Sequence, residues 1–217
     1  MDHLDRAPRP MSNEEIYAGG LLLRALDPTL QPPPIRDWLE REFGRLVELV
    51  GEGRRVADFG CGTGRHLAAL ASRLALGVGL DYERSYLGVA TSRRVVGPVH
   101  FVLADATRAP LPPRFDLAIC TTNTWGTMPG KEGVLREMRR VAPHPGRRVI
   151  SVFGPASVEV RREWYARLGH PVVAATPEYL EAADGFRSEH FTPDRLRALL
   201  GPCEIETVGE VGLLALA

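Results

Sequence analysis

Three glycines at alternate positions are the first residues in this chain with chemical meaning. In VADFGCGTGRHL (residues 56–67) they stand at 60, 62 and 64, behind an apolar run that ends at Asp58-Phe59 and ahead of a helical pattern. Glycine lets a backbone turn tightly and approach a ligand without a Cβ in the way. The helix start behind it offers free N–H groups and a partial positive charge. The spacing separates the possible ligands. A dinucleotide fingerprint reads G-x-G-x-x-G, and here Arg65 stands where the third glycine belongs. No lysine follows, so a P-loop fails as well. The plain alternative is a tight turn without function, but three alternate glycines behind a strand-end acid are hard to explain by folding alone.

Two further acids stand at strand ends. In GVGLDYE (residues 77–83), Asp81 closes an apolar run. A carboxylate there can accept hydrogen bonds from both hydroxyls of a ribose, or it can simply cap the next helix. In FVLADATRAPLPPRFDLAIC (residues 101–120), Asp105-Ala106 ends a third strand and Asp116 opens a fourth. Asp105 can receive an adenine amino group, and the Ala106 N–H can reach a ring nitrogen. Thr121 to Gly126 (TTNTWG) follow the fourth strand. In open α/β sheets ligands bind at such strand ends, at the switch point of the strand order.

The elements that must position these residues can be read from periodicity. Residues 12–26 open with Ser12 and have Glu15 three places on, a capping-box spacing. They predict a helix weakened by Gly19-Gly20. After Pro32-Pro33-Pro34, an amphipathic helix is expected over 35–50, with Ile35, Trp38, Leu39, Phe43, Leu46, Val47 and Val50 on one face. Strands are then expected at 54–59, 75–80, 98–104, 115–121 and 147–153, with helices at 65–74, 84–93 and 131–141. Such alternation implies a parallel sheet with right-handed crossovers. A helix near 158–168, a less regular stretch and a Thr192-capped helix at 193–200 follow. The last two strands, EIETVGE and VGLLALA, sit too close for a crossover and must pair as a hairpin.

Composition sets the class. The chain has 217 residues, 44% hydrophobic and 25% charged, with a formal net charge of zero. That suits one soluble domain with a modest appendage. The zero balance gives no general support for nucleic-acid binding. Lys131 is the only lysine, and no polybasic run suits a membrane surface. Cys61, Cys120 and Cys203 are far apart and odd in number, which argues against a disulfide framework or a zinc knuckle. Residues 1–11 are polar and expected to be loose, and they lack a secretion-signal pattern. A cytoplasmic monomer or homodimer is expected, with no membrane partner and no metal.

Together these residues resemble the class I (Rossmann-fold) S-adenosylmethionine (SAM)-dependent methyltransferase family, from about residue 54 to 153. Asp58 to Gly64 (DFGCGTG) looks like the family's first motif, Asp81 like its ribose-binding acid and Asp105-Ala106 like its adenine-contacting pair. Phe115-Asp116 opens the strand that its fourth motif follows. HPGRRVISVF (residues 144–153) looks like the run into its fifth strand, with Arg147 where a second glycine is common. The resemblance implies a three-layer α/β/α fold with a seven-stranded, mostly parallel sheet closed by an antiparallel C-terminal hairpin strand. It implies SAM as cofactor, S-adenosylhomocysteine (SAH) as product, and a cofactor set of Asp58, Gly60, Cys61, Gly62, Gly64, Asp81, Tyr82, Asp105, Ala106, Thr122, Asn123 and Tyr17. Residues 1–51 are then a helical lid or extension. Residues 52–217 are the SAM-binding domain, with an insert at about 154–192 over the acceptor site.

The methyl acceptor is less legible. The segment after the fourth strand lacks the Pro-Pro of nucleic-acid amino methylation. Pro202-Cys203, the only Pro-Cys, enters the sixth strand. Acids for a catechol-type metal site are missing after the fourth and fifth strands. A small-molecule nitrogen or oxygen acceptor is therefore expected, held by Asn123, Trp125, Met128, Arg187 and His190. Arg187 can grip a carboxylate, and His190 is the one candidate base. Trp125 can pack on the cofactor or a cationic acceptor, or belong to the core. The alternatives are an RNA or protein methyltransferase, a nicotinamide-dependent oxidoreductase and a non-catalytic SAM-binding module. The arginines Arg54, Arg55, Arg139, Arg140, Arg147 and Arg148 are the local patch an RNA substrate would use.

Overall fold

A computed structural model describes residues 10–143 and 148–217. The expected looseness of residues 1–9, and the family-like run at 144–147 with Arg147, lie outside the described residues. The chain opens with three helices, α1 (Asn13–Ala18), α2 (Leu21–Ala25) and α3 (Pro33–Val50). The Ser12–Glu15 capping box forms at the start of α1. The single helix expected over 12–26 is instead two short ones, because Gly20 takes φ +86° between them.

Alternation then builds the sheet. Strands β1 (Arg54–Phe59), β2 (Leu74–Asp81), β3 (Val99–Leu103), β4 (Leu117–Cys120) and β5 (Arg148–Phe153) are parallel. Helices α4 (Arg65–Leu70), α5 (Arg84–Ser92), α6 (Thr124–Thr127) and α7 (Lys131–Val141) connect them. After β5 come α8 (Val158–Arg167), β6 (Val172–Ala175), β7 (Tyr179–Ala182), β8 (Arg187–Glu189), α9 (Pro193–Leu200), β9 (Glu204–Val208) and β10 (Gly212–Leu216). The main sheet has seven strands in the order β3-β2-β1-β4-β5-β10-β9. β10 runs antiparallel to both β5 and β9, the C-terminal hairpin that the short spacing required.

Strands buried on both faces read as continuous apolar runs, and this sheet has a core on each side. Leu117 and Ile119 of β4 face a core built with Trp38 and Leu46 of α3. Ala118 and Cys120 face one built with Met138 of α7 and Leu196 of α9. Strand order reverses between β1 and β4, the place where an open sheet leaves a crevice. The stretch expected to be irregular after α8 is a small antiparallel sheet, β6-β7-β8. Its strands are only three or four residues long and β6 is largely exposed, so no clear period marks them. Among the described residues no helix is long and apolar enough to cross a membrane.

Candidate active site

A cavity of about 520 Å³ opens at the ends of β1, β2, β3 and β4. Gly60, Cys61, Gly62, Asp81, Tyr82, Asp105, Ala106, Thr122, Met128 and Tyr17, all singled out by sequence, line it. Gly60 and Gly62 take φ +75° and +52°. That left-handed backbone turns the loop back, so that the Gly60 and Cys61 N–H groups donate to the Leu80 carbonyl (2.8 and 2.9 Å).

Asp81 ties two elements together. Its Oδ2 accepts from the Gly62 N–H (2.7 Å) and its Oδ1 from the Glu83 N–H (2.9 Å). Burial raises its pKa even so, against the backbone hydrogen bonds that lower it. Asp105 is mostly solvated. One of its oxygens accepts from the Thr107 N–H and hydroxyl (both 2.8 Å), which holds its pKa below the usual carboxylate value.

Asp58 sits under the glycine loop, 1% exposed, and among the described residues neither carboxylate oxygen has a hydrogen-bond partner. Burial, with the nearby Asp81 charge, pushes its pKa up to about 7. A buried carboxylate without partners is costly. The hydroxyl of Thr63, which lines the cavity, is also buried without a partner among the described residues.

Glu42, absent from the sequence reading, completes the site. It lies on the buried face of α3, fully buried, and reaches the end of β4. Its oxygens accept from the Thr122 N–H (2.7 Å) and hydroxyl (2.8 Å), and Arg65 stands 3.5 Å away. Arg65 also donates to the Thr122 hydroxyl (2.8 Å). Thr122 and Asn123 both take φ +56°, rare for residues with a Cβ. Glu42 helps hold that strained turn. His66 faces Thr121 (Nδ1 to Oγ1, 3.1 Å), and burial keeps its imidazole far below its ordinary pKa and so neutral. Glu42 and Asp58 thus act on one guanidinium, Arg65, and Asp81 lies beside Asp58. The one sequence signal for Glu42 was an acid at the i+4 step between Trp38 and Leu46, inside an apolar stripe. Glu42→Ala should strip Thr122 of its acceptor and cost about 2 kcal/mol. Thermal melting should then fall by roughly 4–8 °C, and an unchanged melting temperature would refute this role for Glu42.

The N-terminal helices roof the cavity. A Cβ on Gly62 would meet Leu22 Cδ2 of α2 at 2.4 Å. The Tyr86 hydroxyl donates to the Tyr17 carbonyl and accepts from the Leu22 N–H (3.1 Å). The Tyr17 hydroxyl meets Thr127 Oγ1 at 3.1 Å. The Asn13 side chain donates to the Thr127 and Arg187 carbonyls, both at 2.7 Å.

Several sequence candidates lie elsewhere. Gly64 supports the loop from behind, against the ring of Phe101. Asn123 does not line the cavity. Its side chain braces the fold, accepting from the Phe153 N–H (3.1 Å) and donating to Ser188 Oγ (3.0 Å). Trp125 is buried against Phe191 in the core, away from the cavity, which corrects its assignment to the acceptor. Arg187 is also corrected. Its side chain is 57% exposed, pairs with Glu181 (3.0 Å) and lies over the Tyr179 ring. His190, the candidate base, is 2% exposed and faces the buried Arg161 (3.4 Å), so it reaches no cavity. Among the described residues no group of three or more His, Cys, Asp or Glu is arranged for a metal ion.

Comparison with known proteins points the same way as the geometry. A family model described as "Methyltransferase domain" matches residues 56–146. The chain is similar to the methyltransferase GfsG of Streptomyces halstedii, 35% identical over 125 residues, which are 54% of this chain and 45% of that protein. It is also similar to a demethylmenaquinone methyltransferase of Clavibacter sepedonicus, 35% identical over 116 residues, or 52% and 46% of the two chains. The chain thus spans a little under half the length of these curated relatives. Magnesium protoporphyrin IX methyltransferase from Synechocystis, solved with bound SAH, superposes with a TM-score of 0.59 at 16% identity, over 84% of each chain.

Proposed function

We propose that this chain is a class I, Rossmann-fold, SAM-dependent methyltransferase, a reading supported by the methyltransferase-domain match over residues 56–146, and that it moves a methyl group from SAM to a small-molecule nitrogen or oxygen acceptor. The observation that carries the reading is the buried acid cluster beneath the glycine loop. Among the described residues Asp58 has no hydrogen-bond partner for either oxygen, the buried Asp58 and Glu42 act on the same guanidinium, Arg65, and Asp81 lies beside Asp58. A ligand bearing positive charge fits that surplus, and SAM carries an ammonium and a sulfonium. A nicotinamide dinucleotide would bring a negative pyrophosphate to the same loop.

In this reading Gly60, Cys61 and Gly62 cradle the cofactor, Asp81 accepts from its ribose and Asp105 from its adenine amino group. When bound, SAM supplies a methyl carbon on a sulfonium that is itself the leaving group. The chain's work is alignment and exclusion of water. Residues 1–51 act as the lid, with Tyr17 and Leu22 covering the loop, over a catalytic domain at 52–217. The insert at 154–192 adjoins the acceptor side. The relatives named for small molecules support a small acceptor, and the zero net charge gives an RNA no general attraction.

Calorimetric titration with SAH, with NADH in parallel, tests the cofactor, and a screen with labelled SAM then tests transfer. Micromolar SAH binding followed by label transfer to a small amine or hydroxyl compound is the expected result. Binding of NADH alone would replace this reading with an oxidoreductase. SAH binding with transfer only to RNA or protein, or with none, would favour a macromolecular substrate or a silent module.

A further inference from the structure

The roof over the main cavity is built from two short helices. α1 has six residues and α2 five, with Gly20 at φ +86° between them. Helices this short do not hold themselves together in water. The roof therefore stays down through its contacts with its surroundings. Beneath it lie Tyr86, Thr127 and the glycine loop. Beside it runs the small sheet, and the seam between the two is close. The Met11 N–H donates to the Asp184 carbonyl (2.7 Å), and the Arg187 N–H donates to Asn13 Oδ1 (2.8 Å). A Cβ on Gly185 would stand 2.7 Å from the Met11 carbonyl oxygen.

A side-chain relay crosses the same seam. Arg24 of α2 donates from Nη2 to His170 Nε2 (2.9 Å), and His170 Nδ1 meets Asp184 Oδ2 at 2.5 Å. Asp184 sits in the turn between β7 and β8, and its other oxygen accepts from the Phe186 N–H (3.1 Å). The His170 ring is buried, with the Phe186 ring 5.9 Å away between centroids. Arg24 is exposed and has no carboxylate partner among the described residues; its Nη1 makes only a long bond to the Gly19 carbonyl (3.4 Å). A guanidinium has donors and no acceptor. His170 Nε2 must then accept with its lone pair, so the ring is neutral and its one proton lies on Nδ1, donated to Asp184. From α8, Tyr165 offers its carbonyl to the His170 N–H (2.8 Å), while Arg167 pairs with Glu163. The charged groups bonded to the ring are thus Arg24 from the roof and Asp184 from the small sheet. A proton added at Nε2 removes the lone pair and sets two cations face to face, and it strengthens the pair with Asp184.

We propose that Arg24, His170 and Asp184 form a proton-operated latch on the roof of the main cavity. With a neutral imidazole the latch holds α2 down. Protonation leaves His170 paired with Asp184 alone and frees Arg24, so the roof opens more often and the occupant of the cavity leaves faster. Leu22, which packs on Gly62, is two residues from Arg24, so movement of α2 reaches the glycine loop directly. The effect is about tenfold, the low end for a bond from a charged donor, because Arg24 is exposed. The latch rests on the methyltransferase reading only for the identity of that occupant, SAM or SAH.

Amide hydrogen exchange in the ligand-free protein reads the roof directly. The Leu26 N–H, bonded to the Leu22 carbonyl (3.0 Å), reports on α2. Its protection, corrected for the intrinsic exchange rate at each pH, should fall about tenfold from pH 8 to pH 5, the range in which an imidazole changes charge. His170→Gln cannot gain the proton, and the fall should vanish. Arg24→Leu leaves no cation to repel, so α2 should be poorly protected at both pH values, again without a fall. Arg24 is exposed, and this variant serves if the His170 one fails to fold. Asp58 also titrates in this range, but all three proteins carry it, so the difference between them isolates His170. In stopped-flow experiments SAH release from the wild type should quicken about tenfold from pH 8 to pH 5 relative to either variant. The proposal is wrong if wild-type α2 is equally protected at both pH values, if either variant keeps the fall, or if SAH release follows the same pH profile in all three proteins. A wild-type protein that binds no SAH would instead sink the cofactor reading, and exchange in the ligand-free protein would still decide the latch.

Discussion

Gly62→Val should remove measurable SAH binding. The residue sits at φ +52°, a region that costs an L-residue roughly 1–2 kcal/mol. A Cβ there would stand 2.4 Å from Leu22 Cδ2, and the two further methyls of Val crowd the same place, so the Leu22 side chain, the helix that carries it or the loop must move. Movement of the loop, which the strained φ also favours, breaks the Gly62 N–H to Asp81 bond (2.7 Å) that orients both the loop and the carboxylate. Strain, clash and a lost charge-assisted bond together exceed about 3 kcal/mol, more than a hundredfold in affinity. Calorimetry against the wild type checks this, with circular dichroism to show that the fold survives. SAH binding within tenfold of wild type would mean that the cavity over this loop is not the cofactor site.

Asp58→Asn should raise the stability of the ligand-free protein most at pH 8, less at pH 5 and barely below about pH 4. Burial and the Asp81 charge push its pKa up to about 7 in the folded protein, against 3.8 for a free aspartate side chain. The folded state therefore holds the proton more tightly than the unfolded chain. Between these two values stability falls as pH rises, and the cost is complete above about pH 7. About three units corresponds to on the order of 4 kcal/mol. Asn carries no charge and escapes that cost. Asp105, Asp116 and Glu206 have lowered pKa values and contribute the opposite slope, so the comparison must be wild type against variant at each pH. A positively charged ligand should draw the Asp58 pKa down. SAM binding at pH 7 should then release a proton, seen as a binding heat that varies with the ionisation enthalpy of the buffer. Parallel stability profiles for the two proteins, or no proton release, would show that Asp58 does not titrate in this range.

The sequence by itself determined the repeating strand–helix order, the C-terminal hairpin and the glycine turn with its strand-end acids. These are local properties: a period of two or 3.6, three residues able to take positive φ, and a connection too short for a crossover. Asp81 and Asp105 were legible because they close apolar runs, which places them at one edge of the sheet whatever the side chains do. The tertiary structure alone decided which polar residues meet. Glu42 is 80 positions from Thr122, and only the packing of α3 on the sheet brings them to 2.7 Å. Trp125 and His190 have the right chemical types, but cavity or core is a question of direction, and both point into the interior. Arg161 acquires its meaning from burial, because a guanidinium that among the described residues bonds only neutral groups is a property of surroundings that distant segments create.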